Sequence, residues 1–359
     1  MQINIDKSRR EPAYLQLYKQ LREQLVAGHI PPGARLPSKR QLSEELGLSL
    51  VTVEHALNLL CDEGYAESRP RSGLYACFGG GSAPPVRAPA RLSDMSAGSS
   101  APEDFPFSVW ARTMRAVLSD YDRRILVRSP NRGCLELRQA IAGYLERSRG
   151  VQVAPEQIVI GSGAEYLYGL TVQLLGRERG YALEDPCYET IRRVYEANGA
   201  RCLPLPMGED GIESAALAAC AAGALHVTPF HSYPSGVTAS AAKRREYAAW
   251  ARQHGSYIIE DDYDAEFASL TGQIETICSL APERVIYINT FTKLLAPSMR
   301  TGFLVLPEGL LEDYRKRLDF YSCTVPVFDQ LVLAEFIAQG HMERYISRRK
   351  RKLRAQKGQ

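Results

Sequence analysis

Apolar positions recur at helical spacing near the start of the chain: Leu15, Leu17, Tyr18, Leu21, Leu25 and Val26 form one stripe. Pro12 opens it, and Gly28 with Pro31-Pro32-Gly33 stops it. A second helix is predicted from the cap Ser38, with Gln41 at the capping-box position, to near Gly47. Ser49 caps a third, which carries Val51, Val53, Ala56, Leu57 and Leu60 and is closed by Gly64. Two helices joined by a short Gly-containing turn read as helix-turn-helix. The pattern then changes: Tyr65 to Cys77 reads as two short strands around the basic turn Arg69-Pro70-Arg71-Ser72-Gly73, a wing.

Residues 78–104 are rich in Gly, Ser, Pro and Ala without periodicity, which predicts a flexible linker spanning on the order of 30 Å. From Phe105 the pattern alternates. Helices are expected at Phe107 to Leu118 and Cys134 to Arg149. Strands are expected at Gln157 to Gly161, Tyr181 to Glu184, Ala224 to Thr228, Ser256 to Glu260, Val285 to Asn289 and Gly302 to Leu306. Such alternation argues a mainly parallel sheet wrapped by helices, an α/β fold. The expected organisation is therefore a winged helix-turn-helix (1–77), a linker (78–104) and an α/β domain (105–359).

One position in the α/β region does not suit its surroundings. Lys293 falls on a predicted turn between two apolar strands, where desolvation would lower its pKa and leave a neutral amine able to attack an aldehyde. The hydroxyls of Thr290 and Thr292 and the guanidinium of Arg300 are what a phosphate ester would need. An aldehyde carrying a phosphate is pyridoxal 5'-phosphate. Upstream, the strand ending at Glu260 delivers Asp261-Asp262-Tyr263-Asp264 at its carboxyl end, where open α/β sheets place ligands. A carboxylate there, Asp261, can pair with a pyridinium nitrogen, and the Tyr263 hydroxyl can bond the ring oxygen. Gly163, Ala164 and Glu165, between a strand and the helix Tyr166 to Leu175, can offer backbone N–H groups to the phosphate.

These motifs resemble a fold-type I aminotransferase, and in detail the aminotransferase-like domain of the MocR group of GntR-family regulators. The spellings EDDYDAEF from Glu260, TFTKLLAPSMRTGF from Thr290 and HSYPSG from His231 carry the resemblance, which runs from residue 12 to the chain end. It implies that Lys293 is the catalytic-type lysine and that Tyr188 stacks on the cofactor ring. Tyr233 joins the cofactor residues at a position where aminotransferases proper hold an asparagine, and Glu165 stands where relatives have a glutamine. Gly133 to Arg138 is similar to the family's Gly-Leu-Arg signature. For the winged helix the resemblance implies DNA contacts from Arg40, Ser49 and Thr52, with Lys39 and His55 beside them. Arg69, Arg71 and Gly73 of the wing would meet phosphates or the minor groove. Leu50-Val51 replaces the arginine or asparagine that usually follows the capping serine. A head-to-tail homodimer is also implied. Relatives continue into a small C-terminal domain, so the fold-type I domain is expected to be incomplete at its C-terminus, without the arginine that holds a substrate carboxylate.

Composition narrows the reading. The chain has 359 residues, 45% apolar, enough for two domains. No apolar run approaches the ~18 residues of a membrane helix, and no signal peptide opens the chain, so a cytoplasmic protein is expected. Eight scattered cysteines without a C-x-x-C pair indicate neither zinc nor a disulfide framework, and most are expected to be buried; no metal site is predicted. The net charge of +3 conceals a +7 segment, residues 341–359, which reads as a solvated helix face; the remainder is acidic, so DNA binding must come from a placed surface. Together these features predict a transcription regulator that binds double-stranded operator DNA and senses pyridoxal phosphate, alone or with a small amino compound. The alternative is a working aminotransferase with a vestigial DNA-binding domain.

Overall fold

Every helix start expected in the first unit is present where a hydroxyl or proline was read as its signal. Helix α1 (Ala13–Val26) follows Pro12; α2 (Lys39–Leu46) and α3 (Leu50–Asp62) follow Ser38 and Ser49, whose hydroxyls accept the N–H of Gln41 and Thr52. The capping box is only half formed, because the Gln41 amide reaches forward to Glu45, 2.9 Å away. Gly47 ends α2 with φ +60°, a backbone state that glycine adopts without steric cost. Strands β1 (Ala66–Arg69) and β2 (Gly73–Ala76) pair antiparallel, Arg69 opposite Gly73. Leu17, Leu21, Leu25, Val53, Leu57 and Leu60 close the core between the helices, at roughly 1.5–3 kcal/mol for each fully buried side chain.

The computed structural model describes residues 3–6, 11–69, 72–77, 105–263, 265–268 and 275–357. The predicted linker 78–104 and Arg71 of the wing lie outside the described residues. The chain divides into two units, Met1–Ala97 and Gly98–Gln359.

The second unit continues with α4 (Phe107–Tyr121), α5 (Leu135–Arg149), β3 (Ile158–Gly161), α6 (Ala164–Leu175), β4 (Tyr181–Asp185), α7 (Glu189–Ala197), β5 (Cys202–Gly208), β6 (Gly211–Ile212) and α8 (Ser214–Ala218). Then come β7 (Ala224–Val227), α9 (Ala241–His254), β8 (Tyr257–Asp261), α10 (Ala265–Ala268), α11 (Ile277–Leu280), β9 (Val285–Thr290), α12 (Phe291–Leu294), β10 (Gly302–Val305), α13 (Leu311–Arg317), α14 (Val327–Ala338) and α15 (His341–Lys357). Eight strands form one sheet in the order β3-β10-β9-β8-β7-β4-β5-β6. The pairs β5–β4, β4–β7, β7–β8 and β8–β9 are parallel, whereas β10 runs antiparallel to both its neighbours. The α/β architecture is thus the expected one.

Strand alternation builds two cores. Ile258, Val285 and Val305 face one apolar cluster, shared with α5, α9, α14 and α15; Ile259, Ile286 and Leu304 face the other, shared with α6, α7 and α13. Helix α14 is largely apolar and buries most of its residues, packing between α4 and α5 and also touching α15.

Strand β5 has no counterpart in the sequence reading. Its Cys-Leu-Pro-Leu-Pro-Met-Gly carries two prolines, a pattern that argues against a central strand. It is tolerated because β6 pairs with only Met207 and Gly208, so β5 is an edge along most of its length and Pro204 and Pro206 are exposed. Only three of the eight cysteines are buried, fewer than expected, and all eight are free thiols. The basic helix α15 is not a wholly solvated face: Met342 and Tyr345 enter the core, and Arg349 lies 4.5 Å from the Phe267 ring centroid. Among the described residues no helix is long and apolar enough to cross a membrane, and no cluster of His, Cys, Asp or Glu could hold a metal ion.

Candidate functional site

The register of the sheet brings distant segments to one edge. Strands β3, β4, β7, β8 and β9 all run towards it, and β10 starts there because it is antiparallel, with Gly302 opposite both Gly161 and Thr290. A cleft of about 320 Å³ opens at this edge. It is lined by Ala164 and Glu165 after β3, Tyr188 after β4, Tyr233 after β7, Asp261 at the end of β8 and Tyr263 just beyond it, and Thr290, Thr292, Lys293 and Arg300 around α12. Gly163 lies beside it: with φ +94°, a Cβ there would stand 2.6 Å from Arg300 Nη2.

Asp261 occupies the buried floor. Its Oδ2 accepts the Tyr168 hydroxyl, while Oδ1 has no hydrogen-bond partner among the described residues. Burial pushes its carboxyl up to about 6 against the opposing Tyr168 hydrogen bond. An unpaired buried carboxylate oxygen in a cleft wall calls for a donor, and a protonated ring nitrogen is one. Behind Asp261 stands His226, kept neutral by burial with its pKa lowered to about 3; its Nδ1 meets the Tyr195 hydroxyl at 2.7 Å and its Nε2 lies 3.8 Å from Asp261 Oδ2.

On the opposite face of β8, Asp262 pairs with Arg149 at 2.9 Å and accepts the Tyr287 hydroxyl; Arg149 also lies 3.3 Å from Glu266. All three charged side chains are at least nine-tenths buried. This arrangement ties the end of β8 to α5. Glu184, at the end of β4, accepts the Ser232 hydroxyl at 2.7 Å and the Thr228 N–H at 3.2 Å, which anchors the loop that carries Tyr233.

One expectation needs correction. Lys293 is not desolvated between strands. The chain leaves β9 in a single helical turn, α12, that lifts the lysine out, so it is exposed with Nζ 4.4 Å from the Tyr263 ring centroid. The Tyr263 hydroxyl donates to the His231 carbonyl at 3.0 Å, and Thr292 Oγ1 donates to the Met299 carbonyl at 3.1 Å, so both have protein acceptors. Glu165, at the phosphate loop, pairs with Arg300 at 2.6 Å. Tyr168, His226, Thr228 and Glu184 went unread. Tyr168 had a signal, lying one helical turn beyond Ala164 and hence on the same face of α6. The others are single residues on a buried strand or its end, without a motif.

In the winged helix, a cleft of about 380 Å³ runs between the start of α2, α3 and the wing, lined in part by Arg35, Lys39, Arg40 and Gly73. Arg35 was not singled out. A Cβ at Gly73 would lie 3.0 Å from its Nε, so the glycine lets the guanidinium approach the wing. Arg40 is exposed. Lys39 pairs with Glu54, and Ser49 and Thr52 join hydroxyls at 2.7 Å. His55 stacks on Tyr14 at 4.1 Å between centroids, and Arg69 lies over Tyr75 at 4.5 Å while bonding Glu67. Leu50 and Val51, 50% and 76% exposed, leave the first turn of α3 apolar.

Comparison with known proteins agrees with both halves. Residues 13–75 match the model of bacterial regulatory proteins of the gntR family, and residues 95–356 match aminotransferase class I and II. The HTH-type transcriptional regulator YdeL of Bacillus subtilis is 35% identical over 94% of this chain and 76% of its own length. The probable rhizopine catabolism regulatory protein MocR of Rhizobium meliloti is 30% identical over 97% of this chain and 76% of its own length. An archaeal alanine:glyoxylate aminotransferase superposes with a TM-score of 0.60 and 25% identity, over 69% of this chain and 64% of that one, just under two thirds.

Proposed function

Since the chain belongs to the MocR-type gntR family of regulators, a GntR winged helix joined to an aminotransferase class I and II domain, we propose that the cleft at its sheet edge binds pyridoxal phosphate and that occupancy governs operator binding. A regulator of this family binds DNA through the winged helix and carries the aminotransferase-like domain as its ligand-binding part. The observation that carries the cofactor reading is Asp261 Oδ1, a buried acceptor without a partner among the described residues, in a cleft that also holds Lys293 and Arg300.

The residues present fit the group. Pyridoxal phosphate supplies an aldehyde that condenses reversibly with primary amines and a cationic ring that withdraws electrons. Lys293 offers the amine. Asp261 would accept the ring N–H through Oδ1, and Tyr168 and His226 keep that carboxylate in place from behind. Tyr188, about half exposed at the mouth, would cover the ring face, with Tyr233 packed edge-on against it at 6.0 Å between centroids. Arg300 and the backbone at Gly163 and Ala164 would take the phosphate. A small amino compound would enter by displacing Lys293, whose ammonium then has the Tyr263 ring to rest on. On the DNA side, Arg40 and Arg35 would enter the groove from α2 and the wing cleft, and a homodimer would present two such surfaces to paired half-sites.

The test is spectroscopic. Mixed with pyridoxal phosphate, the protein is expected to show a visible absorption band that Lys293→Ala removes. If the alanine variant keeps the band, or borohydride fixes the cofactor at another lysine, the assignment is wrong.

A further inference from the structure

Glu165 and Arg300 lie 135 residues apart in the chain and meet in the cleft, Oε2 to Nη2 at 2.6 Å. The pair remains accessible, with the two side chains 43% and 51% exposed. Gly163 leaves the guanidinium room against the loop, since a Cβ there would stand 2.6 Å from Nη2. The backbone is thus cut away to bring a cation against the first turn of the 12-residue α6, whose N–H groups favour an anion. The anion that Arg300 meets there is the protein's own carboxylate. Burial would raise the Glu165 carboxyl, but its own backbone N–H and Arg300 outweigh that, so it lies below the usual range and is charged at neutral pH.

The charges that line the cleft are balanced: Lys293 and Arg300 against Asp261 and Glu165. Arg300 is the cation next to the Gly163 loop, and the Thr292 hydroxyl proton is engaged by Met299. A phosphate arriving at this seat therefore meets a guanidinium that already has a partner.

We propose that Glu165 is an internal competitor for Arg300, and that a phosphate ester gains the guanidinium only as the carboxylate gives it up. This deepens the cofactor reading above and rests on it. The consequence is an affinity for phosphate-bearing ligands lower than a neutral residue at 165 would allow. Occupancy then follows ligand concentration, which suits a sensor and not an enzyme that retains its cofactor. The exchange also releases a contact between α6 and the segment before β10, so ligand arrival alters a link within the domain.

Pyridoxal and pyridoxal phosphate differ by the group in question. Each is titrated into the full chain while the absorbance of the lysine adduct is followed. Glu165→Gln is expected to tighten pyridoxal phosphate by roughly tenfold or more, because the guanidinium no longer has to leave a carboxylate, and to leave pyridoxal within about twofold. In an Arg300→Ala background the gain from Glu165→Gln should shrink, since the contested group is gone. Unchanged or weaker pyridoxal phosphate binding in Glu165→Gln, or equal tightening of pyridoxal, overturns the competition. A band that Lys293→Ala removes, with equal affinities in wild type and Glu165→Gln, sinks this inference and leaves the cofactor reading standing. No band with either aldehyde sinks both.

Discussion

In the winged helix, polar groups that could meet a partner sit on exposed helix starts and strand ends and are held by neighbours close in sequence. Ser49 is held by Thr52, Lys39 by Glu54, and Arg69 by Glu67 and Tyr75. At the sheet edge the reverse holds: Asp261 is buried and takes its hydrogen bond from Tyr168, 93 residues away, while Asp262 on the other face is locked by Arg149, 113 residues away. The first arrangement can lose a side chain without disturbing the fold. The second cannot, because removing one member leaves a charge in a dry interior. Exposed polar groups stay in water, whereas a buried carboxylate such as Asp261 or Asp262 depends on the few partners the interior supplies.

The severest way to test this contrast is Arg149→Ala, which strips Asp262 and Glu266 of their cation. A loss of about 3–5 kcal/mol is expected, seen as a lower melting temperature for the transition of the aminotransferase-like unit. Arg300→Ala, which removes an exposed ion pair, should cost less than about 1 kcal/mol in the same scan. Equal losses in the two variants would mean that the buried and the exposed ion pair contribute alike.

Next in size is a dependence on pH. Burial pushes the Glu184 carboxyl up to about 8 against the opposing bonds from Ser232 and Thr228. The folded protein therefore keeps a proton that the unfolded chain, near 4.5, releases. Stability from this group is complete below about 4.5 and is lost as pH rises through about 8, on the order of a few kcal/mol across the window. Melting temperatures between pH 5 and pH 8 should fall less steeply in Glu184→Gln. Glu260, also pushed up to about 8, keeps its own share of the slope. An identical slope in the variant would show that Glu184 does not hold its proton.

In the winged helix the expected effect falls on binding and not on stability. Arg40→Ala should weaken DNA binding by about 1–3 kcal/mol if a base contact is lost, and uniformly across sequences if the residue touches only phosphate. Its melting curve should match the wild type. A gel shift that does not change would remove Arg40 from the DNA surface, and a lowered melting temperature would move it to the locked class.

The two regions also differed in how far they could be read. Helix starts at Ser38 and Ser49, the stop at Gly47 and the wing strands follow from contiguous residues, because caps and turns are local physics. Strand β5 was missed since Pro204 and Pro206 argue against a strand until the sheet shows them to be on an edge. The Lys293 environment was misjudged for a related reason: flanking apolar residues do not reveal that α12 carries the side chain out of the sheet.

By itself the sequence determined the order of most elements, the division into a winged helix and an α/β region, and the residue types offered at most strand ends, since these depend on periodicity, caps and turn chemistry within a few residues. Tertiary structure alone decided which of those groups meet. Antiparallel pairing of β3 with β10 brings positions 165 and 300 together, and the packing of α5 and α6 on the sheet does the same for 149 and 262 and for 168 and 261. Sheet alternation places Asp261 and Asp262, adjacent in the chain, on opposite faces. Whether a carboxylate is locked, unpaired or contested is a matter of distance in space and of dielectric, and neither is written in a run of neighbouring residues.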